Sequence, residues 1–275
     1  MMDKWLINGL ADEVITADDR GLSYGDGLFE TIAVRDGACR FWSEHMARLR
    51  SGCQRLGLPA PVPEQLERDA HELIGAAERG TLKMIVTAGR GPRGYRRPQP
   101  VASTRLVGFS VESAPGPREK ARVRLCATPW GSNRVLAGMK TLNRLEQVLA
   151  RAEWDSAGIA EGVMLGAHGR IVSGTMSNLF IVVEGQLLTP RLDACGVHGI
   201  MRAKVFDVAG RLGLACREED LPGSLLKQAD DMFLTNALWG AWPVERLDEY
   251  LFAGSEVTAR IMDGLLQLGV TECRC

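Results

Sequence analysis

Apolar and polar residues alternate over three short runs near the start of the chain, Trp5 to Asn8, Gly27 to Arg35 and Ala38 to Trp42, which predicts strands there. Asp36-Gly37 between the last two is a hairpin turn signal. The period then changes. Met46, Leu49, Cys53 and Leu56 recur every three to four residues up to Gly57, predicting an amphipathic helix with Ser43 as its N-cap. A second helix is predicted from Pro63 to Arg79, with Leu66, Ala70, Leu73, Ile74 and Ala77 as its buried stripe and Gly80 as its stop. Strands follow over Leu82 to Ala88 and Thr104 to Val111.

The run from Glu112 to Lys120 places two prolines around a glycine and carries no hydrophobic repeat, the composition of a linker. The expected organisation is therefore an N-terminal domain over 1–113, a linker over 114–120 and a C-terminal domain over 121–275. In the second half, strands are predicted at Arg122 to Thr128, Gly162 to Gly166, Asn178 to Val183, Leu187 to Thr189 and Asp231 to Thr235. Helices are predicted at Thr141 to Ser156, Gly199 to Leu212 and Glu256 to Leu268. Strands and helices mixed through both halves imply an α/β or α+β enzyme-like fold class, with no internal repeat.

Composition narrows the function. The 275 residues suggest roughly two domains of about 150 residues each. Lys and Arg number 33 against 34 Asp and Glu, a net charge of -1, so no global field draws the chain to nucleic acid or an anionic membrane. The first residues lack the long apolar core of a secretory signal, and no apolar run is long enough to span a bilayer, so a cytoplasmic location is expected. Seven cysteines without C-x-x-C spacing and four separated histidines suggest neither a disulfide framework nor a metal site.

Four places could carry chemistry. Lys140 stands before the apolar run Leu142, Leu145, Val148, Leu149, at the expected start of a helix. There the helix dipole and partial desolvation would both favour the neutral amine that attacks a carbonyl, although an ordinary solvated lysine fits the same position. Gly199-Ile-Met-Arg202 opens another helix, whose first N–H groups can cradle a phosphate or simply enter the helix from a loop. Thr235-Asn236-Ala237 ends an apolar strand with a hydroxyl and backbone amides in similar reach. The glycine-rich loop from Gly89 to Pro98 holds Arg90, Arg93, Arg96 and Arg97 with Tyr95, a set suited to an anionic substrate or to plain solvation. Neither a Ser-His-Asp order nor a P-loop is present.

Taken together, six blocks in order resemble the fold-type IV pyridoxal-phosphate enzymes, the superfamily of branched-chain and D-amino-acid aminotransferases. They are Ser23-Tyr-Gly-Asp-Gly-Leu-Phe-Glu-Thr31, His45-Met-Ala-Arg-Leu49, Lys140-Thr-Leu-Asn-Arg-Leu-Glu-Gln147, Ser177-Asn-Leu-Phe180, Thr189-Pro-Arg-Leu-Asp193 and Gly196-Val-His-Gly-Ile-Met-Arg202. The resemblance spans about residues 5 to 245. The lysine and Gly-Ile-Met-Arg blocks are most similar to the aminodeoxychorismate lyases, which make 4-aminobenzoate and pyruvate for folate synthesis.

The resemblance implies two domains, a smaller N-terminal α/β sandwich and a larger C-terminal pseudo-barrel. It also implies pyridoxal 5'-phosphate as cofactor, a small dicarboxylate as substrate and a homodimer. Lys140 would bind the cofactor covalently and carry protons, with Thr31 as a second catalytic candidate. Arg48, Ile200, Met201, Thr235 and Asn236 would hold the phosphate, and Ser173 and Asn178 would also belong to the cofactor site. A substrate with two carboxylates would give Arg93 and Tyr95 of the basic loop a binding role, while Trp239 fits either a cover for one ring face or core packing. Arg48 falls roughly 120° from the apolar stripe of its helix, so periodicity alone reads it as solvent-facing while the resemblance makes it a ligand-facing residue. Ser173 departs from the family, which usually carries glutamate five residues before the Asn of Asn-Leu-Phe. The departure favours elimination over transamination, because a neutral hydroxyl does not hold a pyridinium as a carboxylate does.

Overall fold

A computed structural model describes residues 4–113 and 118–273. They form two compact units. The first comprises residues 1–115 together with Met139–Asn143, and the second comprises 116–138 and 144–275. The segment around Lys140 thus belongs with the N-terminal unit, although its neighbours on both sides belong to the other. Of the expected linker, residues 114–117 lie outside the described residues.

In the first unit, β1 (Lys4–Ile7), β2 (Gly27–Arg35), β3 (Ala38–Cys39), β4 (Arg79–Thr87) and β5 (Thr104–Val111) make a five-stranded antiparallel sheet in the order β1-β5-β4-β2-β3. A short helix, α1 (Arg20–Tyr24), precedes β2. Two longer helices, α2 (Trp42–Leu56) and α3 (Pro63–Ile74), pack on one face of the sheet. Alternation along β2 explains the layering. Leu28, Ile32 and Val34 are buried on the helix side, where Leu28 meets Gly52 of α2, while Phe29 and Thr31 on the opposite face are only half-buried.

Two helix boundaries differ from expectation. α2 starts at Trp42, with Phe41 as N-cap in the left-handed region (φ 56°) and no side-chain cap, so Ser43 lies inside the first turn. α3 stops at Ile74 rather than Arg79, because Gly75 (φ 52°, ψ -123°) turns the chain out of the helix and Arg79 already pairs with Arg35 in the sheet.

The second unit is built on a nine-stranded sheet. Its strands are β6 (Ala121–Leu125), β7 (Glu161–Leu165), β8 (Ile171–Gly174), β9 (Asn178–Val183), β10 (Gln186–Pro190), β11 (Cys216–Glu219), β12 (Asp231–Asn236), β13 (Gly240–Leu247) and β14 (Tyr250–Leu251). They are ordered β11-β10-β9-β12-β13-β6-β7-β8, with β14 paired to β13. The central strands are apolar on both faces: Leu179, Phe180, Ile181, Met232, Phe233 and Leu234 are fully buried, and Phe180 stacks on Phe233 at 5.1 Å. The helices are α4 (Leu145–Arg151), α5 (Ile200–Arg211) and α6 (Glu256–Gln267). α5 and α6 pack together at Gly264, where an added Cβ would fall 2.3 Å from Val208.

The helix expected over Thr141 to Ser156 is reduced to the two turns of α4. Its apolar stripe points outward, with Leu145, Val148 and Leu149 exposed and Gln147 and Ala150 buried instead. Among the described residues, no helix is long and apolar enough to cross a membrane.

Candidate active site

Lys140 does not stand at a helix start. The Phe29 N–H donates to the Lys140 carbonyl (2.9 Å) and the Leu142 N–H donates to the Gly27 carbonyl (3.0 Å). Residues 140–142 therefore run along the edge of β2, with Thr141 opposite Leu28. α4 begins only at Leu145, so the helix-dipole argument for Lys140 fails. An extended backbone fixes the lysine differently, by sending its side chain to the Phe29 face, where Nζ lies 4.2 Å from the ring centroid. Thr31, two residues along β2, shares that face.

On the other face of β2 lies a buried charge cluster. Glu30 is nearly inaccessible, and its carboxylate accepts from Arg48 Nε (2.8 Å) and Arg48 Nη2 and meets His45 Nδ1 at 2.6 Å. Burial would raise the Glu30 pKa, but the Arg48 charge and the hydrogen bonds from Arg48 and His45 outweigh it and lower it from 4.5 to about 2. Burial lowers the pKa of His45, against the upward pull of Glu30. The His45 Nε2 atom is buried without a hydrogen-bond partner.

The Arg48 side chain is only 15% exposed, so it is not the solvent-facing residue that periodicity implies. The apolar wheel counts hydrophobic positions and overlooks a guanidinium drawn inward by a carboxylate on the neighbouring strand. Glu30 and His45 lie inside the sequence blocks, yet without a view of the pairing neither reads as more than a strand or helix position.

The basic loop is tied down from beneath. Buried Arg20 donates to the carbonyls of Gly94 and Tyr95 (2.9 Å each) and pairs with Asp26, which also holds Arg97. Arg90 pairs with Asp18 at the surface. Arg93 and Tyr95 remain exposed at the tip, with the Tyr95 ring edge-on to Tyr24.

In the second unit, four sequence candidates come together. α5 starts after Gly199 with no side-chain cap, which leaves the first N–H groups, at Ile200 and Met201, without intrahelical acceptors. Gly199 sits hard against Asn178: an added Cβ would be 2.1 Å from Asn178 Oδ1. Asn178 Nδ2 also donates to the Val197 carbonyl (2.9 Å), bracing the loop that enters the helix. Thr235 faces Asn178 across the β9–β12 ladder, and its Oγ1 is buried with no partner.

The remaining candidates are engaged elsewhere. Asn236 Oδ1 accepts the N–H groups of Leu238 (2.9 Å) and Trp239 (3.0 Å), shaping the turn from β12 to β13. Trp239 is buried edge-on to Trp242 under the Arg118 guanidinium, and its Nε1 is buried without a partner. The Ser173 hydroxyl donates to the Gly174 carbonyl at 2.8 Å. Nearby Glu161, a buried carboxylate that the sequence pattern did not single out, accepts from Gly162, Thr175, Met176 and Ser177 and so stabilises the turn before β9.

The model of the amino-transferase class IV family matches residues 27–247. The aminodeoxychorismate lyase of Vibrio harveyi is 32% identical over 241 residues, covering 86% of this chain and 89% of the relative. The crystal structure of 4-amino-4-deoxychorismate lyase from Pseudomonas aeruginosa superposes with a TM-score of 0.90 at 41% identity, covering 96% of this chain and 98% of that one. A branched-chain amino acid aminotransferase from Escherichia coli shares the fold, with a TM-score of 0.86 at 23% identity over 98% of this chain and 95% of its own. Members of the matched family depend on pyridoxal phosphate. With the family model matched from β2 to the end of β13, this chain belongs to the class IV amino-transferases and has their fold-type IV architecture.

Proposed function

We propose that this chain is a pyridoxal-phosphate-dependent lyase that converts 4-amino-4-deoxychorismate to 4-aminobenzoate and pyruvate in cytoplasmic folate biosynthesis. The observation that carries the reading is the 41% identity to the Pseudomonas lyase over nearly all of both chains, against 23% for the aminotransferase of the same fold.

The residues present fit the cofactor. A phosphate monoester needs several donors in one place, and the uncapped start of α5 beside the unpartnered Thr235 hydroxyl supplies such a set. Ile200 and Met201 would give their N–H groups and Thr235 its hydroxyl, with Asn178 bracing them. The family resemblance, not the geometry of either unit, adds Arg48 as a positive charge and Lys140 as the covalent attachment point. When bound, the cofactor supplies an electron-withdrawing group that takes up the substrate amine and acidifies the adjacent C–H.

The neutral Lys140 amine takes the proton from the amine-bearing carbon of the substrate. The electrons of that C–H bond enter the ring as the bond to the C3 ether oxygen breaks, and pyruvate leaves as its enolate. Aromatisation makes the step effectively irreversible. Thr31, on the same face of β2 as the lysine side chain, positions a proton or water for the leaving oxygen. A neutral side chain at Ser173 suits this elimination better than transamination, which must store the electrons until a second substrate arrives. The reading includes a homodimer, and the exposed Leu145, Val148 and Leu149 of α4 have the apolar character of a surface that a second copy covers.

Purified protein given 4-amino-4-deoxychorismate should release 4-aminobenzoate and pyruvate in equal amounts. Turnover seen only with an amino donor plus 2-oxoglutarate would reject the lyase reading in favour of an aminotransferase.

Thr235→Val is expected to act with opposite signs in the two forms of the protein. Without cofactor it removes a buried, unpartnered hydroxyl and should leave the melting temperature unchanged or higher. With cofactor it removes a hydrogen bond to a charged group, of about 1.5–3 kcal/mol, so the dissociation constant for pyridoxal phosphate should rise roughly ten- to a hundredfold. Thermal melts with and without the cofactor check both signs.

A further inference from the structure

We infer that Lys83 anchors a carboxylate of the amine substrate. The inference rests on the reading of Lys140 given above. Lys83 lies on β4, directly opposite Thr31 of β2, and so shares the sheet face that carries Phe29 and Thr31. Its Nζ stands 5.6 Å from the centroid of Phe29, the ring that Lys140 Nζ also approaches. Two lysines from separate parts of the chain therefore converge on one aromatic face.

Their surroundings point to an anionic guest. The Arg20, Arg48, Arg97 and Arg105 guanidiniums in this unit are each tied to a carboxylate. Lys83 is exposed, and no carboxylate among the described residues pairs with it. The register continues from Lys83 to Gly108 on β5 and on to Trp5 on β1. Gly108 has no side chain, and a Cβ there would lie 2.5 Å from the Trp5 indole, so that ring is laid across the sheet beside Lys83. The row from Thr31 through Lys83 to Trp5, with Phe29 alongside, offers a hydroxyl, an unpaired ammonium and two aromatic surfaces. That set recognises a flat ring bearing a carboxylate.

The sequence signal is slight: a single charge at the middle of an otherwise half-apolar strand face. It separates Lys83 from the arginines of the basic loop, since Lys83 stands on a strand and its backbone is held by the ladder on both sides.

The test uses the cofactor-loaded protein and two inert probes of the same shape, benzoate and neutral benzamide, with binding read from the absorbance of the bound cofactor. Wild type should bind benzoate more tightly than benzamide. Lys83→Met keeps the aliphatic stem and should weaken benzoate at least about tenfold while leaving benzamide unchanged, and Lys83→Arg should retain most of the benzoate affinity. In steady state, K83M should raise the KM for 4-amino-4-deoxychorismate at least about tenfold with kcat altered far less. Equal benzoate binding by wild type and K83M overturns the assignment. Failure of wild type to release pyruvate rejects the lyase reading instead, and the comparison of benzoate with benzamide still reports on Lys83.

Discussion

Lys140→Ala is expected to lower pyruvate release by roughly 10⁴-fold or more, because one substitution removes both the proposed covalent attachment point and the proposed proton carrier. The fold should survive. The contribution of residue 140 to the sheet is its backbone carbonyl, which accepts from the Phe29 N–H whatever side chain follows it. One lost side-chain contact is the approach of Nζ to the Phe29 ring, worth about 0.5–1 kcal/mol at a partly exposed site. The variant should therefore melt within a few degrees of wild type. Treatment of wild type with cyanoborohydride should leave a pyridoxyl mass on the peptide containing Lys140, and the variant should carry none. Undiminished pyruvate release by the variant would end the proposed mechanism.

The second large effect is expected at Glu30. Glu30→Ala leaves the Arg48 guanidinium and the His45 ring facing each other across the space of a missing carboxylate. Breaking a buried ion pair in this way costs about 3–5 kcal/mol. Urea unfolding of the cofactor-free protein should show that loss, and cofactor retention should fall as well, because Arg48 loses the partner that orients it. Glu30→Gln should lie between wild type and alanine, since it keeps the shape and loses the charge.

The same cluster sets an acid limit. With its folded-state pKa depressed from 4.5 to about 2, Glu30 binds protons more weakly in the native than in the unfolded chain. Its stabilising contribution is complete above pH 4.5 and disappears as the pH falls toward 2. Wild type should lose stability more steeply than E30Q through that window, and parallel acid-unfolding curves would remove Glu30 as the cause.

Much of the architecture was legible because burial leaves a regular trace. β2, β5 and β9 have the expected boundaries, as alternation or an unbroken apolar run between turn residues defines each of them. β13 has no such trace: Pro243 sits inside it, opposite Phe233, and a proline argues against an interior strand. α4 misled in the other direction, since an apolar period marks a face but does not say whether the same chain covers it.

The candidate site divides along the same line. Thr235 and the Gly199–Met201 turn stand out as candidates because hydroxyls and glycines at the ends of elements are visible in one dimension. Glu30, His45 and Lys83 acquire meaning through cross-strand and helix–sheet neighbours, which no local pattern contains. The setting of Lys140, a short bridged segment beside β2 rather than a helix start, is hidden for the same reason.

The bridge between residues 140–142 and β2 limits how the polypeptide can be divided. A fragment ending at residue 113 would lack residues 139–143, and the β2 backbone groups they satisfy would be left open. The complementary fragment would carry the lysine without the scaffold that aims it. Chimaeras between family members that exchange halves at the linker would accordingly separate Lys140 from the strand it pairs with in this chain, so residues 139–143 should travel with the N-terminal half.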